Sequence, residues 1–96
     1  MTINFTQFDQ ASKAILTALA KHFPTPTEVG FHDLFPESEN DINQRQAHVG
    51  CLAFLRHEDY IAHDIGSASS FILTEKGLSL FEQNVVAHIK QSLNNE

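Results

Sequence analysis

Tyr60-Ile61-Ala62-His63-Asp64-Ile65, Gly66-Ser67-Ala68-Ser69 and Ser70-Phe71-Ile72-Leu73 follow one another over residues 60–73, and their reading decides the fold. The outer two pieces are rich in β-branched and aromatic residues, and the middle piece carries turn chemistry, so the stretch predicts a β-hairpin. Directly after it Thr74 is placed to cap a helix, and Leu78, Phe81, Val85, Ile89 and Leu93 recur at spacings of three and four. One long terminal helix is expected there.

Upstream of the hairpin, Asp41 is placed to cap a helix running from about Ile42 to His57. Ile42, Val49, Leu52, Ala53 and Leu55 project to one side of it and are expected to be its core face. Pro36-Glu37-Ser38-Glu39-Asn40 has the composition of a surface loop. Before it, Thr25-Pro26-Thr27-Glu28 reads as a helix start, with a threonine cap, a proline in the first turn and a glutamate three residues after the cap. Val29, Phe31, Leu34 and Phe35 would give that short helix its buried side, against the cost of Gly30 inside it. A first helix is predicted from Thr6, with Asp9 completing a capping box and Phe8, Ala11, Ile15, Leu19 and Phe23 as its apolar stripe; Pro24 ends it.

Ninety-six residues are read as a single domain spanning 1–96, since one core commonly occupies roughly 100 to 200 residues. Hydrophobic residues at 42% and charged residues at 19% suit a globular chain and are too apolar for a disordered one. Met1-Thr2-Ile3-Asn4-Phe5 has no basic stretch leading into a long apolar run, so neither export nor membrane insertion is expected and the chain reads as cytoplasmic. A single cysteine, Cys51, excludes an internal disulfide.

The order helix, helix, helix, hairpin, helix resembles the winged helix-turn-helix superfamily. Two local patterns carry the likeness. In Leu52-Ala53-Phe54-Leu55-Arg56-His57-Glu58-Asp59-Tyr60-Ile61 the third helix gives way to an aromatic-aliphatic pair that would start the wing. In Phe71-Ile72-Leu73-Thr74-Glu75-Lys76-Gly77-Leu78 the second wing strand enters the last helix through a Leu-Thr-x-x-Gly step like that of many bacterial regulators. There the threonine would cap the helix and the glycine would allow close backbone packing. Such domains usually have glycine just before the aromatic-aliphatic pair, where the chain leaves the helix in a left-handed conformation; here the residue is Asp59. The resemblance covers roughly residues 8 to 90 and implies an α+β, mainly helical domain: three helices, a β-hairpin wing and a long C-terminal helix.

In that superfamily the third helix typically enters the DNA major groove by its N-terminal half while the wing touches the backbone or the minor groove. The resemblance places Asn43, Gln44, Gln46 and Ala47 there, flanked by Arg45 and His48, with Ser67 and Ser69 at the wing tip. Asn and Gln can pair with adenine and Arg with guanine, although capping and solvated turns use the same residues. The charge argues the other way. Twelve acids against six Lys and Arg give −6, which repels a polyanion at long range. Glu28, Asp33, Glu37, Glu39 and Asp41 follow one another without a Lys or Arg, and the wing has Asp64 and no Lys or Arg. Duplex DNA is therefore expected to bind weakly, and more strongly as the six histidines protonate.

Opposite the expected core face, the third helix carries Ala47, Gly50, Cys51 and Phe54 at spacings of three and four. Either another helix of the same chain covers Phe54 or a partner does. Ile89 and Leu93 extend the terminal stripe beyond what three short helices cover, which suggests a homodimer. Ala47, Cys51, Phe54, Ile89 and Leu93 are thus the candidate protein interface.

Catalytic and metal chemistry find little footing. No pair of histidines has structural zinc spacing, although His48 with Cys51, or His57 with His63 and Asp64, could meet. Cys51 lies mid-helix among apolar neighbours, where a thiol is usually inert. No phosphate loop, dinucleotide fingerprint or Gly-x-Ser-x-Gly is present. No catalytic residues, metal or cofactor are expected. Charge and apolar face together favour a protein-interaction or self-association module; the resemblance by itself implies the alternative, a DNA-binding transcriptional regulator.

Overall fold

A computed structural model describes residues 1–95. It is a mainly helical α+β arrangement, with five α-helices and a three-stranded antiparallel sheet among the described residues. The order is α1 (Thr6–His22), β1 (Thr27–Glu28), α2 (Phe31–Leu34), a 3-10 turn (Pro36–Ser38), α3 (Ile42–His57), β2 (Ile61–His63), β3 (Ser70–Leu73), α4 (Glu75–Ser79) and α5 (Val85–Asn94).

Ala11, Ile15 and Leu19, four residues apart on α1, are buried on one side of it. They meet Cys51 and Leu55 of α3, Ile61, Phe71 and Leu73 of the sheet, Val29 and Leu78 in one core. The predicted capping box on Thr6 and Asp9 is not formed. Thr6 is already helical, and its N–H donates to Asn4 Oδ1 at 2.9 Å.

The hairpin is paired as its composition predicts, with Ile61 opposite Leu73, Ala62 opposite Ile72 and His63 opposite Phe71. The residues predicted to start a second helix behave differently. Thr27 and Glu28 pair with Phe71 and Ser70 as a third strand, and Val29 N–H donates to Ser69 O at 2.9 Å. Proline holds its predecessor extended and threonine is β-branched, so the free edge of β3 captures this segment. The helix starts only after Gly30, whose N–H donates to Asp33 Oδ2 at 3.0 Å.

The third helix has its expected bounds, and Asp41 Oδ1 accepts from Gln44 N–H at 3.0 Å. Its buried face is the expected one only in part: Leu55 is buried and Leu52 packs half-buried against the core, but the rest differs. His48, Cys51 and Leu55 point inward, while Ile42 is 67% and Val49 59% exposed and Ala53 is exposed. The burial of His48 turns the helix by about one residue step of 100° from the face its aliphatic residues alone would choose.

At its C-terminal end, α3 closes with Asp59 N–H donating to Arg56 O at 3.1 Å and Tyr60 N–H donating to Leu55 O at 2.9 Å. This is a Schellman turn, with Asp59 at φ 65° where glycine is usual. The start of α4 docks on that turn. Thr74 Oγ1 accepts from Gly77 N–H at 3.1 Å and donates to Asp59 O; Lys76 Nζ donates to Glu58 O at 2.9 Å. A Cβ on Gly77 would stand 2.1 Å from Tyr60 O, so the approach requires glycine.

The single terminal helix of the sequence reading is two helices. The chain breaks between Ser79 and Val85, with Glu82 at φ 59°. Asn84 Oδ1 then accepts from Ala87 N–H at 2.9 Å and starts α5 afresh. None of the described residues of α5 is buried. The radius of gyration is 15.0 Å, against about 13 Å for a compact chain of about 100 residues.

Candidate functional site

The residues that would read DNA fall on three different sides of α3. Asn43 and Gln46 are exposed, Gln44 and Ala47 are half-buried, and His48 is 1% exposed. Burial removes His48 from any groove-facing role. Its Nε2–H donates to Val29 O at 2.8 Å, since a carbonyl can only accept. Its ring meets Phe31 and Phe35 edge-on, at 5.7 and 5.8 Å between centroids. The imidazole thus ties α3 to the segment after β1. Nδ1 has no partner among the described residues. Burial holds its pKa below the ordinary 6.5, with the Val29 carbonyl and the Asp33 carboxylate opposing.

Arg45 is committed within the chain. Its guanidinium donates to Glu39 O at 2.8 Å and lies 5.7 Å over the Phe31 ring. The charge that would have met a guanine fastens the 3-10 turn instead. Around the same depression stand Glu28, Asp33 and Glu39, with Val49 and Ser69. The crease between α2, α3 and the hairpin is therefore rimmed by carboxylates. At the hairpin tip Ser67 Oγ donates to Glu28 Oε1 at 3.4 Å, and Ser69 N–H donates to Ser67 Oγ at 3.4 Å.

The candidate interface residues also separate. Cys51 belongs to the core at 2% exposure, so it cannot meet a partner, and burial pushes its thiol up to about 11. Ala47 is half-buried. Phe54 is 49% exposed and packs edge-to-face on Phe8 at 5.6 Å, which in turn packs on Phe5 at 6.1 Å. Helix α1 thus covers one side of Phe54 and leaves the other open. Ile89 and Leu93 are 50% and 68% exposed on α5. Phe8 and Ala20 lie about 18 Å apart along α1 at 1.5 Å per residue, so the Phe54 stack and the α5 region occupy opposite ends of that helix.

At the α5 end is a feature the sequence reading missed. Ala20 and Phe23 at the end of α1, Leu78 and Phe81 around α4, and Val85 and His88 of α5 line an apolar groove of about 350 Å³. Asn84, a residue type that caps helices, was the signal that the stripe starts anew at Val85 and can leave such a groove behind it.

Among the described residues, no three His, Cys, Asp or Glu side chains converge as they would around a metal ion. No described helix is long and apolar enough to cross a membrane. No protein-family model matches the chain, and comparison with curated proteins and with solved structures finds no match.

Proposed function

We propose that the chain is a non-catalytic winged-helix module that acts by binding protein, a second copy of itself included. The three-stranded sheet, the paired hairpin and the Gly77 docking on the α3 exit suit a winged helix. The observation that carries the functional reading is α5: an amphipathic helix whose Val86, Ile89 and Leu93 are 39%, 50% and 68% exposed. Such a stripe is stable in water only at the cost of wetting apolar surface, about 25 cal/mol per Å².

The alternative, duplex DNA, draws on the exposed amides of Asn43 and Gln46, which suit adenine. The carboxylate rim of the crease and the engagement of Arg45 with Glu39 and Phe31 weigh against it. Sedimentation equilibrium over a wide concentration range and gel retardation at low salt decide between them. Self-association without retardation supports the protein reading. Retardation that strengthens toward pH 6 and vanishes with added salt overturns it.

A further inference from the structure

The two ring nitrogens of His48 stand in different situations. Nε2–H donates to Val29 O at 2.8 Å, while Nδ1 is buried with no partner among the described residues. The side chain is 1% exposed and has the Phe31 and Phe35 rings beside it. A second proton, on Nδ1, would create a buried cation with an N–H and no acceptor, and a phenyl ring has no lone pair to offer it. In water the same proton is bound freely below about pH 6.5. Proton uptake is therefore coupled to whatever motion brings Nδ1 to solvent.

Residues 27–38 are the part of the fold best able to make that motion. Their regular elements are a two-residue strand, a four-residue helix and a three-residue 3-10 turn, each too short to persist without tertiary support. Helices α1 and α3, with 17 and 16 residues, carry far more of their own hydrogen bonding. Val29 is where the short segment is gripped from both sides: its N–H donates to Ser69 O and its O accepts from His48. We infer that His48 is a proton-operated latch, which holds residues 27–38 on α3 while the imidazole is neutral and releases them on taking a second proton, with α1, α3 and the hairpin still folded. Release bares Val29 and Phe31, both buried in the closed form.

The charges around the ring set the direction. On α2, Asp33 favours the cation, but its carboxylate already accepts from Gly30 N–H, and His32 is exposed. On β1, Glu28 accepts from Ser67 Oγ, and on the 3-10 turn Glu37 is exposed. Arg45, one turn earlier on α3, lies over the Phe31 ring and opposes a second positive charge; Cys51, one turn later, is an uncharged thiol. Helix α1 contributes only Ala11, Ile15 and Leu19 to the buried interior. Burial outweighs the Val29 carbonyl and the Asp33 carboxylate and keeps the closed form reluctant to protonate.

Native-state hydrogen exchange on the full chain, resolved by residue and corrected for the intrinsic pH dependence of exchange, tests the latch at about pH 7.5 and about pH 5.5. The hydrogen-bonded amides of Val29, Leu34 and Phe35 are expected to exchange ahead of those of Ile15 and Leu55. They should also lose protection several-fold, at most roughly tenfold, at the lower pH. His48→Gln keeps a donor toward Val29 O but cannot take the proton, and is expected to abolish the pH-dependent part. His63 also has a buried nitrogen without a partner among the described residues. His63→Gln is expected to leave the effect intact, and it keeps the test decisive if His48→Gln fails to fold, since His22, His32, His57 and His88 are exposed. Exchange of Val29, Leu34 and Phe35 in step with Ile15 and Leu55 overturns the latch, because the segment would then open only with the whole fold. Protection that ignores pH, a pH effect that persists in His48→Gln, or one that vanishes in His63→Gln overturns it as well.

Discussion

Helices α3 and α5 are written in the same local grammar and meet opposite fates. Both start on a side-chain oxygen three residues ahead of the N–H it accepts from, Asp41 for α3 and Asn84 for α5. Both carry apolar residues at spacings of three and four. Yet α3 buries His48, Cys51 and Leu55 and is locked at its exit by the Asp59 turn and the α4 docking, while none of the described residues of α5 is buried. Capping and periodicity make a helix; only a neighbour makes it core. The same signals therefore announce an interior element in one place and an uncovered one in the other.

Substitutions that strike the α3 side should cost most. Gly77→Ala puts a methyl group into Tyr60 O, a backbone atom that cannot step aside without opening the α3 exit. A loss of at least about 3 kcal/mol is expected, read as a large drop in urea midpoint or failure to fold. Wild-type stability in Gly77→Ala would show that the seam is loose.

Next is a dependence on pH carried by His48. Its folded pKa lies below 6.5 because of burial, so the unfolded chain takes up the proton first. Stability is thus whole above about pH 6.5 and declines as pH falls from there toward the folded value. Urea midpoints at about pH 7.5 and about pH 5.5 should differ more for the wild type than for His48→Gln, whose amide keeps a donor toward Val29 O. Equal slopes would remove His48 from the account.

Asp59→Gly works in the other direction. Relief of a left-handed aspartate is expected to raise stability by up to about 1 kcal/mol, seen as a higher melting temperature. A decrease would mean that the carboxylate makes a contribution beyond its backbone conformation. Smallest is Leu93→Ser, which in the single copy should stay within about 0.5 kcal/mol of wild type. A clear loss at concentrations too low for association would mean that α5 is already packed, and the contrast with α3 would fail.

Much of the frame was legible because it is locally encoded. The hairpin of residues 60–73, the Asp41 cap, the span Ile42–His57 and the Thr74–Gly77 step each rest on neighbours within a few positions. What escaped depended on distant partners. Strand β1 forms because β3, more than forty residues away, offers it an edge. The α3 core face was misjudged because histidine ranks as polar, and only the Val29 carbonyl and two phenylalanine rings make His48 an interior residue. Cys51 was placed outside by the same error, since the two residues share a face. The terminal stripe hid its own interruption: Leu78 and Phe81 are in phase with Val85 and Ile89, and only the polar Glu82-Gln83-Asn84 marks the break. For the candidate surfaces, the exposure of Ile89 and Leu93 could be read from the overhang, but the groove could not, because it forms only where the end of the first helix, residues 20–23, meets the distant stretch 78–88.

In the sheet order β1-β3-β2 the only four-residue strand lies in the middle. The outer strands are two and three residues long. So little unpaired backbone gives an incoming chain almost nothing to hydrogen-bond along. Strand addition and fibril-like stacking are disfavoured from the outset, and encounters between copies are left to side-chain fit on the helical side, where shape and charge can discriminate one partner from another.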